Sequence, residues 1–292
     1  MQPRHVALAV FLSVVWGMNF VAIDVALAGF PPLLLVCLRF LVAALPALIL
    51  PRPAIRWPML ILISSTLFIG QFSLFFSAMA VGMLAGLGSI VLQVQAFVTI
   101  AIAAAVLGER PGARQLVGAA ITLAGLAAIA ATVGVNGVTM EGLALSLGSA
   151  VLWSVGNILV RRLAPVDAVA LVSWLSLIAL LPMLAIAYAV EGPATIGHAL
   201  THASWMTVGA VLYIGLASTT FGYGAWSQLL KIYPASIVAP FSLLVPVTGT
   251  ISAALLLGER FGPLRLAGMV LIMAGLAVLV LRPRRKVIAA TG

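Results

Sequence analysis

The 292-residue sequence is short of charge, with six Asp and Glu residues, 15 Lys and Arg residues and 7% charged residues in all. A soluble globular domain carries about 25% charged residues. Hydrophobic residues make up 64% of the chain. So few charges exclude a water-exposed globular surface, and the composition predicts a protein that crosses a membrane several times.

Cysteine and histidine are also scarce. Cys37 is the single cysteine, which excludes an intramolecular disulfide. The stretch "HALTH" places His198 and His202 four positions apart, a spacing that suits a metal pair, but no third ligand follows at a matching distance. We therefore interpret both histidines as polar loop residues and expect neither a metal site nor a cofactor.

Apolar stretches recur along the whole chain, and a membrane helix needs about 20 apolar residues. Breaks at proline, glycine and charge clusters divide them into ten predicted spans, numbered in order: 6–27, 32–50, 58–80, 84–107, 114–133, 142–163, 168–190, 204–228, 235–257 and 264–281. The count falls to nine if 58–107 is divided differently. Span 1 is too long for the core of a signal peptide and precedes no small-residue cleavage site, so we expect it to be retained. The alternating ten-residue segments of a β-barrel do not occur, and the predicted fold class is an all-α integral membrane protein.

Lysine and arginine are distributed unevenly over the ends of these spans. With the N-terminus inside the cell, 12 lie on inner segments, two (Arg260 and Arg265) lie on outer loops, and Arg39 lies within span 2. Basic cytoplasmic loops are typical of membrane proteins. The pattern predicts a multi-pass membrane protein with both termini in the cytoplasm. The tail "RPRRK" (282–286) is then expected at the anionic lipid surface rather than on nucleic acid.

Two stretches are near copies of each other, "VLGERPGARQLVG" (106–118) and "LLGERFGPLRLAG" (256–268). The pairs Gly118/Gly268 and Gly125/Gly275 share their spacing of 150 positions, while Trp16 and Trp153 are 137 apart. Pro46 and Pro182 are 136 apart, and the shift from 136 to 150 matches the 14 residues of the polar loop at 191–204. The chain is therefore a duplication of a five-helix unit, with repeats at 1–137 and 138–292. Because five is odd, the two copies have opposite orientation, which is typical of secondary transporters.

The residues also resemble a known family. "VVWGMNFVAIDVAL" in span 1, "LRF" in span 2, "LGER" after span 4 and "AGL" in span 5 resemble the EamA type of the drug/metabolite transporter superfamily. "QVQAFVTIAIAAAVLGER" (93–110) is similar to bacterial amino-acid exporters, particularly the aromatic group. The resemblance implies ten helices, a central cavity lined by spans 1, 3, 4, 6, 8 and 9, and spans 5 and 10 as scaffold. It also implies export of aromatic or other hydrophobic amino acids and related metabolites by alternating access.

The sequence departs from the family pattern at one position. Span 9 contains Pro246, a usual proline of the family, whereas span 4 has Ala96 at the matching place. The usual helix breaker is therefore missing from span 4. This departure indicates a subgroup within the family.

Polar and aromatic side chains inside the spans are the candidates for the substrate site, because a polar group in a membrane needs a partner or a function. An amide both donates and accepts hydrogen bonds, so it suits both ends of a zwitterion, and an aromatic ring can face an ammonium group. The alternative for each residue is a helix-packing contact. The candidates are Trp16, Asn19, Gln71, Gln93, Gln95, Trp153, Asn157, Tyr223, Trp226 and Ser242.

Arg39 lies inside span 2 and Asp24 near the outer end of span 1. Three interpretations of Arg39 stay open: a pair with Asp24, a side chain that reaches to the lipid headgroups, or a contact with a substrate carboxylate. Pro240 and Pro246 frame "PFSLLVP" in span 9, where they form either a hinge or a static kink.

Acidic residues are nearly absent from the spans, with Asp24 the exception. Exporters of cations and proton-driven pumps use an intramembrane Asp or Glu. We therefore predict a neutral or zwitterionic substrate and no carboxylate proton relay. Alternatives are a carrier of drugs or nucleotide sugars, a membrane enzyme, for which the spans lack a catalytic set, and a receptor or scaffold.

The "LGER" copies themselves have two interpretations. Gly108 and Gly258 can end spans 4 and 9, which makes each Glu-Arg pair part of a structural corner at the water boundary. The other interpretation is a gating contact.

We expect the protein to be surrounded by membrane lipids and to be a monomer or a weak homodimer.

Overall fold

The computed structural model describes residues 1–134 and 138–281, and the described residues form a helical bundle. The tail "RPRRK" lies outside the described residues. In the described part, nine helices are long and apolar enough to cross a membrane, and one apolar helix is shorter. Their bounds are Pro3–Leu27 (span 1), Pro32–Ala43 (span 2, the short one), Trp57–Ala80 (span 3), Ala85–Val106 (span 4), Ala113–Ala130 (span 5), Met140–Arg161 (span 6), Ala168–Glu191 (span 7), Trp205–Ile232 (span 8), Ala239–Leu256 (span 9) and Pro263–Val280 (span 10).

The division of the stretch 58–107 into two helices is confirmed, since spans 3 and 4 are separate. Span 2 continues into a 3-10 turn, Leu45–Leu48. We call the end of the bundle where span 1 begins the N-terminal face, and the opposite end the far face. Spans 4 and 9 end as predicted, because Gly108 and Gly258 have φ angles of 66° and 68°, in the left-handed region that favours glycine.

Spans 5 and 10 pack directly on each other through their glycines. A Cβ atom on Gly118 would lie 2.9 Å from the carbonyl oxygen of Gly275, and one on Gly125 would lie 2.6 Å from that of Gly268. The residue numbers at these contacts increase along span 5 while they decrease along span 10. The two repeat-related helices are therefore antiparallel. Antiparallel packing of equivalent helices agrees with repeats of opposite orientation, and the close contact agrees with a scaffold role.

Arginines hold the two ends of this helix pair. On the N-terminal face, Arg114 donates to the carbonyl oxygens of Val278 (2.6 Å) and Leu281 at the end of span 10. On the far face, Arg265 donates to the Thr132 hydroxyl (3.1 Å) and carbonyl (3.2 Å) just after span 5. Arg265 was expected in an outer loop, but it lies inside span 10 and is buried. Its charge satisfies carbonyl groups at a helix C-terminus.

We expect Gly125→Leu to lower the free energy of unfolding by about 2 kcal/mol, because the new side chain overlaps the backbone of span 10. Thermal unfolding in detergent measures the effect. Gly197→Ala is the matched control, since a Cβ atom there meets nothing within 4 Å. Equal melting temperatures for the two variants would contradict the close packing of spans 5 and 10.

The polar stretch 191–204 is not a loop as predicted. It contains a short helix, Pro193–Thr201, whose apolar residues Ile196 and Ala199 are buried. His198 and His202 stack one turn apart with ring centroids separated by 4.1 Å. Within the described residues, no group of three or more metal-ligating side chains occurs.

Candidate substrate-binding site

Four spans are interrupted at repeat-related positions. Spans 3 and 8 contain π-helical segments, Ser64–Gly70 and Tyr213–Phe221. Spans 4 and 9 contain 3-10 turns, Leu92–Val94 and Ala239–Leu243. π-Segments occur often at functional sites, and interrupted helices form the substrate sites of secondary transporters. The interruptions therefore mark the middle of the bundle as the candidate site.

Three aromatic residues meet beside the π-segment of span 8, and we call them the aromatic cluster: Trp16, Tyr223 and Trp226. The ring centroid of Trp16 lies 5.9 Å from that of Tyr223 and 5.1 Å from that of Trp226. The indole N–H of Trp16 donates to the carbonyl oxygen of Ser218 at 2.9 Å, inside the π-segment. The cluster thus joins span 1 to span 8 and provides an apolar surface with fixed ring positions.

Arg39 is only 4% exposed, which excludes a side chain that reaches the lipid headgroups. Its Nη2 donates to the Thr219 hydroxyl at 3.1 Å, and its guanidinium lies 3.8 Å from the ring centroid of Phe72. The predicted pair with Asp24 is therefore wrong, because Thr219 and Phe72 take the place of the carboxylate. In the described structure the Nε and Nη1 groups have no hydrogen-bond partner. Thr219 follows Ser218, whose carbonyl oxygen accepts the Trp16 N–H, so Arg39 lies next to the contact between the aromatic cluster and span 8.

The candidate amides fall into two groups. Gln95 accepts a hydrogen bond from Asn157 at 3.3 Å and joins span 4 to span 6. Gln71 is buried and donates to the Ser149 hydroxyl at 3.1 Å, but its Oε1 has no partner among the described atoms. The Oδ1 of Asn19 is likewise buried without a partner there. Gln71 and Asn19 thus each have an acceptor without a partner among the described atoms, whereas Gln95 and Asn157 bond to each other across two spans.

The remaining candidates lie along the interrupted helices or next to them. Gln93 is half-buried in the 3-10 turn of span 4. Trp153 packs against the main apolar core. Ser242 donates to the carbonyl oxygen of Ala239 at 2.7 Å within the 3-10 turn that contains Pro240. Pro246 is buried in the next helical segment.

Cavities open at both ends of the bundle. One of about 410 Å³ lies on the N-terminal face and is lined by Thr99, Glu109 and Arg161, among others. Glu109 and Arg161 form an exposed ion pair there at 3.0 Å. One of about 510 Å³ lies on the far face, where Asp24 and His198 contribute to its wall. On the far face Glu259 is half-buried, and burial raises the pKa of its carboxyl, while hydrogen bonds from the Gly86 and Ala85 N–H groups oppose the rise.

The family model of the EamA-like transporter family matches residues 4–131 and 140–281, once for each repeat. The chain belongs to the EamA-like transporter family. It is therefore a multi-pass membrane transporter rather than an enzyme.

Relatives in this family carry more specific names. The chain is 44% identical over 284 residues to a "probable amino-acid metabolite efflux pump" of Salmonella typhimurium and 40% identical to one of Escherichia coli, with 95% of each chain covered in both cases. It is 27% identical to a "probable terminal-alkyne amino-acid exporter" of Streptantibioticus cattleyicolor, over 93% of this chain and 92% of that one. A solved crystal structure matches with a TM-score of 0.61 at 20% identity, over 93% of this chain and 95% of its own, which shows the same fold.

Sequence reasoning missed two partners at the site. Phe72, which lies under the Arg39 guanidinium, reads as an ordinary apolar residue of span 3. Ser149, which binds Gln71, reads as a small packing residue of span 6. The sequence shows that Gln71 and Phe72 are neighbours on span 3. It does not show how span 3 is rotated relative to spans 2 and 6, so neither contact could be predicted.

Proposed function

We propose that this transporter exports neutral amino acids and related metabolites, including aromatic and other hydrophobic ones, across the bacterial inner membrane. The observation that carries the proposal is the buried Arg39 guanidinium beside the aromatic cluster, two of whose N–H groups have no partner among the described residues. A guanidinium matches a carboxylate through paired, charge-assisted hydrogen bonds. The names of the relatives from Salmonella typhimurium and Escherichia coli support the same substrate class.

In this proposal the N-terminal face is cytoplasmic, because it carries most of the Lys and Arg residues. The ten spans form two inverted repeats, 1–137 and 138–292, in a monomer or a weak homodimer. Substrate enters between the repeats and leaves after the halves exchange their open and closed faces. Pro240 lies within the 3-10 turn of span 9 and Pro246 lies just after it, where a hinge for this exchange would act.

Each end of the substrate has a partner of matching chemistry. Its carboxylate binds Arg39. Its ammonium group binds the free amide oxygens of Asn19 and Gln71, which are acceptors without charge. Its apolar side chain packs on the aromatic cluster. Gln93, Gln95, Trp153, Asn157 and Ser242 complete the wall of the path.

A nucleotide sugar is a weaker candidate. Its phosphates call for several cavity cations. Among the described residues, the buried cations are Arg39 and Arg265, and Arg265 binds the end of span 5. The arrangement therefore favours a substrate with a single carboxylate.

Uptake of a panel of labelled amino acids into proteoliposomes tests the proposal. We expect the wild-type protein to transport neutral amino acids. We expect Gln71→Ala, Gln93→Ala and Trp153→Ala each to lower the uptake rate about tenfold, because each removes a buried hydrogen bond or an apolar contact to the substrate. Gln228→Ala is the matched control, since Gln228 is exposed on span 8. Unchanged transport in all three variants would refute the assignment of these residues to the cavity.

We also expect a pH gradient alone to drive little accumulation of substrate in these proteoliposomes. In the described spans, acidic residues lie at the helix ends, and Asp24 is the exception. A proton-coupled carrier uses an intramembrane carboxylate as its relay. Accumulation that follows the imposed pH gradient and disappears with a protonophore would contradict this expectation.

A further inference from the structure

The glutamate of the second "LGER" copy makes a contact that a simple corner does not require. The carboxylate of Glu259 accepts hydrogen bonds from the backbone N–H groups of Ala85 (2.6 Å) and Gly86 (3.0 Å), where span 4 begins on the far face. These N–H groups have no partner inside their own helix, and the helix dipole favours a negative charge there. Glu259 therefore ties the end of span 9 to the start of span 4.

Further contacts close spans 4 and 9 against each other on the far face. The Ser89 hydroxyl lies 3.4 Å from the carbonyl oxygen of Pro246, and the Thr250 hydroxyl lies 3.4 Å from that of Gly86. Ala253 is fully buried, and a Cβ atom on Gly86 would lie 3.1 Å from its Cβ. The far-face halves of the two spans, Ala85–Val91 and Leu244–Leu256, thus form a sealed contact.

The glutamate of the first copy is in the opposite situation. Glu109 lies 150 positions before Glu259, on the N-terminal face, and its side chain is 50% exposed in an ion pair with Arg161. It lines the cavity of about 410 Å³. The nearby half of span 4, Gln95–Leu107, packs on span 6. The Glu259 contact is therefore formed on the far face, while the equivalent contact of Glu109 is not formed on the N-terminal face.

The repeat identifies the backbone N–H groups that correspond, for Glu109, to those that Glu259 binds. "LAGLGSI" (84–90) and "PASIVAP" (234–240) are also 150 positions apart, so Ala235 and Ser236 correspond to Ala85 and Gly86. Ala235 begins the short helix Ala235–Val238 that leads into span 9. Its N-terminal N–H groups are the repeat equivalent of those that Glu259 holds.

We propose that Glu259 and Glu109 are alternating latches that close the far face and the N-terminal face in turn. In the conformation described, Glu259 holds the start of span 4 and Glu109 is paired with Arg161. In the opposite conformation Glu109 leaves Arg161 and binds the N–H groups of Ala235 and Ser236, while Glu259 releases Ala85 and Gly86. This inference rests on the alternating access proposed above.

A latch has to be weak enough to open. Burial of the Glu259 carboxylate opposes its hydrogen bonds, as the competing effects on its pKa show. Glu109 likewise exchanges one exposed ion pair for two backbone hydrogen bonds. Each latch is therefore opposed by a competing contribution, as a reversible two-state transporter requires.

Cysteine accessibility tests the latches without any substrate. In a Cys37→Ala background, Ala253→Cys reports opening of the far face and Thr99→Cys reports opening of the N-terminal face. Each is labelled with a membrane-impermeant maleimide from the side it faces. We expect Glu259→Gln to raise the labelling rate of Ala253→Cys about 3- to 10-fold, the size of a lost helix cap, and to lower that of Thr99→Cys.

The second latch gives the decisive comparison. Adding Glu109→Gln to Glu259→Gln weakens both closed states, so we expect both labelling rates to return toward those of the parent, which a misfolded protein would not show. Glu109→Gln alone leaves Ala253→Cys protected. Glu141→Gln, an exposed carboxylate at the start of span 6, is the matched control and changes neither rate.

Two results would overturn the latches: labelling that Glu259→Gln does not change, or a double variant that behaves like Glu259→Gln alone. Because the assay contains no amino acid, a wrong substrate assignment does not affect it. Normal reciprocal labelling combined with absent amino-acid transport would refute the proposed function and keep the latches.

Discussion

Arg39→Gln is expected to lower amino-acid uptake at limiting concentration by about 100-fold, because two charge-assisted hydrogen bonds to the substrate carboxylate are lost. The Nε and Nη1 groups of Arg39 are buried and have no partner among the described residues, so they are available to a ligand. The hydrogen bond to Thr219 and the contact with Phe72 fix the guanidinium in place. Competition assays in proteoliposomes measure the loss.

A structural role for Arg39 would also lower transport, so the assay needs a substrate that lacks the carboxylate. The wild-type protein should prefer an amino acid over its carboxamide, and Arg39→Gln should lose this preference. Arg162→Gln, an exposed arginine on the N-terminal face, serves as the control. An equal loss for the acid and the amide in Arg39→Gln would assign Arg39 to packing instead.

Trp16→Ala is expected to weaken transport of aromatic amino acids by about 30-fold and that of alanine by only about threefold, because a large apolar contact is lost to one substrate and a small one to the other. The Trp16 ring is held between span 1 and the π-segment by its bond to Ser218 and its contacts with Tyr223 and Trp226. Transport of both substrates by the same proteoliposomes gives the ratio directly.

Two further variants separate the ring from its hydrogen bond. Trp16→Phe keeps an aromatic surface and loses the N–H donor, so it should retain most of the preference for aromatic substrates. Trp57→Ala removes a half-exposed ring outside the aromatic cluster and should leave the preference unchanged. A Trp16→Ala variant that loses both substrates equally would indicate a structural role for Trp16.

Much of the architecture could be predicted from the sequence, because the glycines determine which helices pack closely and the apolar stretches determine where the helices lie. Small residues favour close helix packing, and the structure places Gly118 of span 5 against Gly275 of span 10 and Gly125 against Gly268. Length and apolar composition predict the long helices, which the described residues contain. Both features can be recognised from the residue types and their positions along the chain.

The interruptions of the helices could not be predicted in the same way. Span 4 has Ala96 where span 9 has Pro246, yet it also contains a 3-10 turn, Leu92–Val94. The π-segment of span 8 is accompanied by hydroxyl contacts from Thr219 and Thr220 to carbonyl groups five residues earlier. These breaks depend on packing between the repeats, which no local helix propensity expresses.

The contacts of Arg39 show the same limit. Asp24 and Arg39 lie near the same end of neighbouring spans, which made a pair reasonable. The rotation of span 2 instead directs the guanidinium to Phe72 and Thr219, on spans 3 and 8. In contrast, the helix at 193–201 had a visible pattern, since Pro193 begins it and the apolar Ile196 and Ala199 are three apart.

The most direct test of the account is counterflow of a labelled neutral amino acid in proteoliposomes that contain only this protein. Vesicles loaded with unlabelled phenylalanine are diluted into a trace of labelled phenylalanine, and the label inside is followed with time. We expect transient accumulation of the label inside the vesicles, which Arg39→Gln abolishes and which empty liposomes lack. Label that stays at the level of empty liposomes for every neutral amino acid in the panel would contradict it.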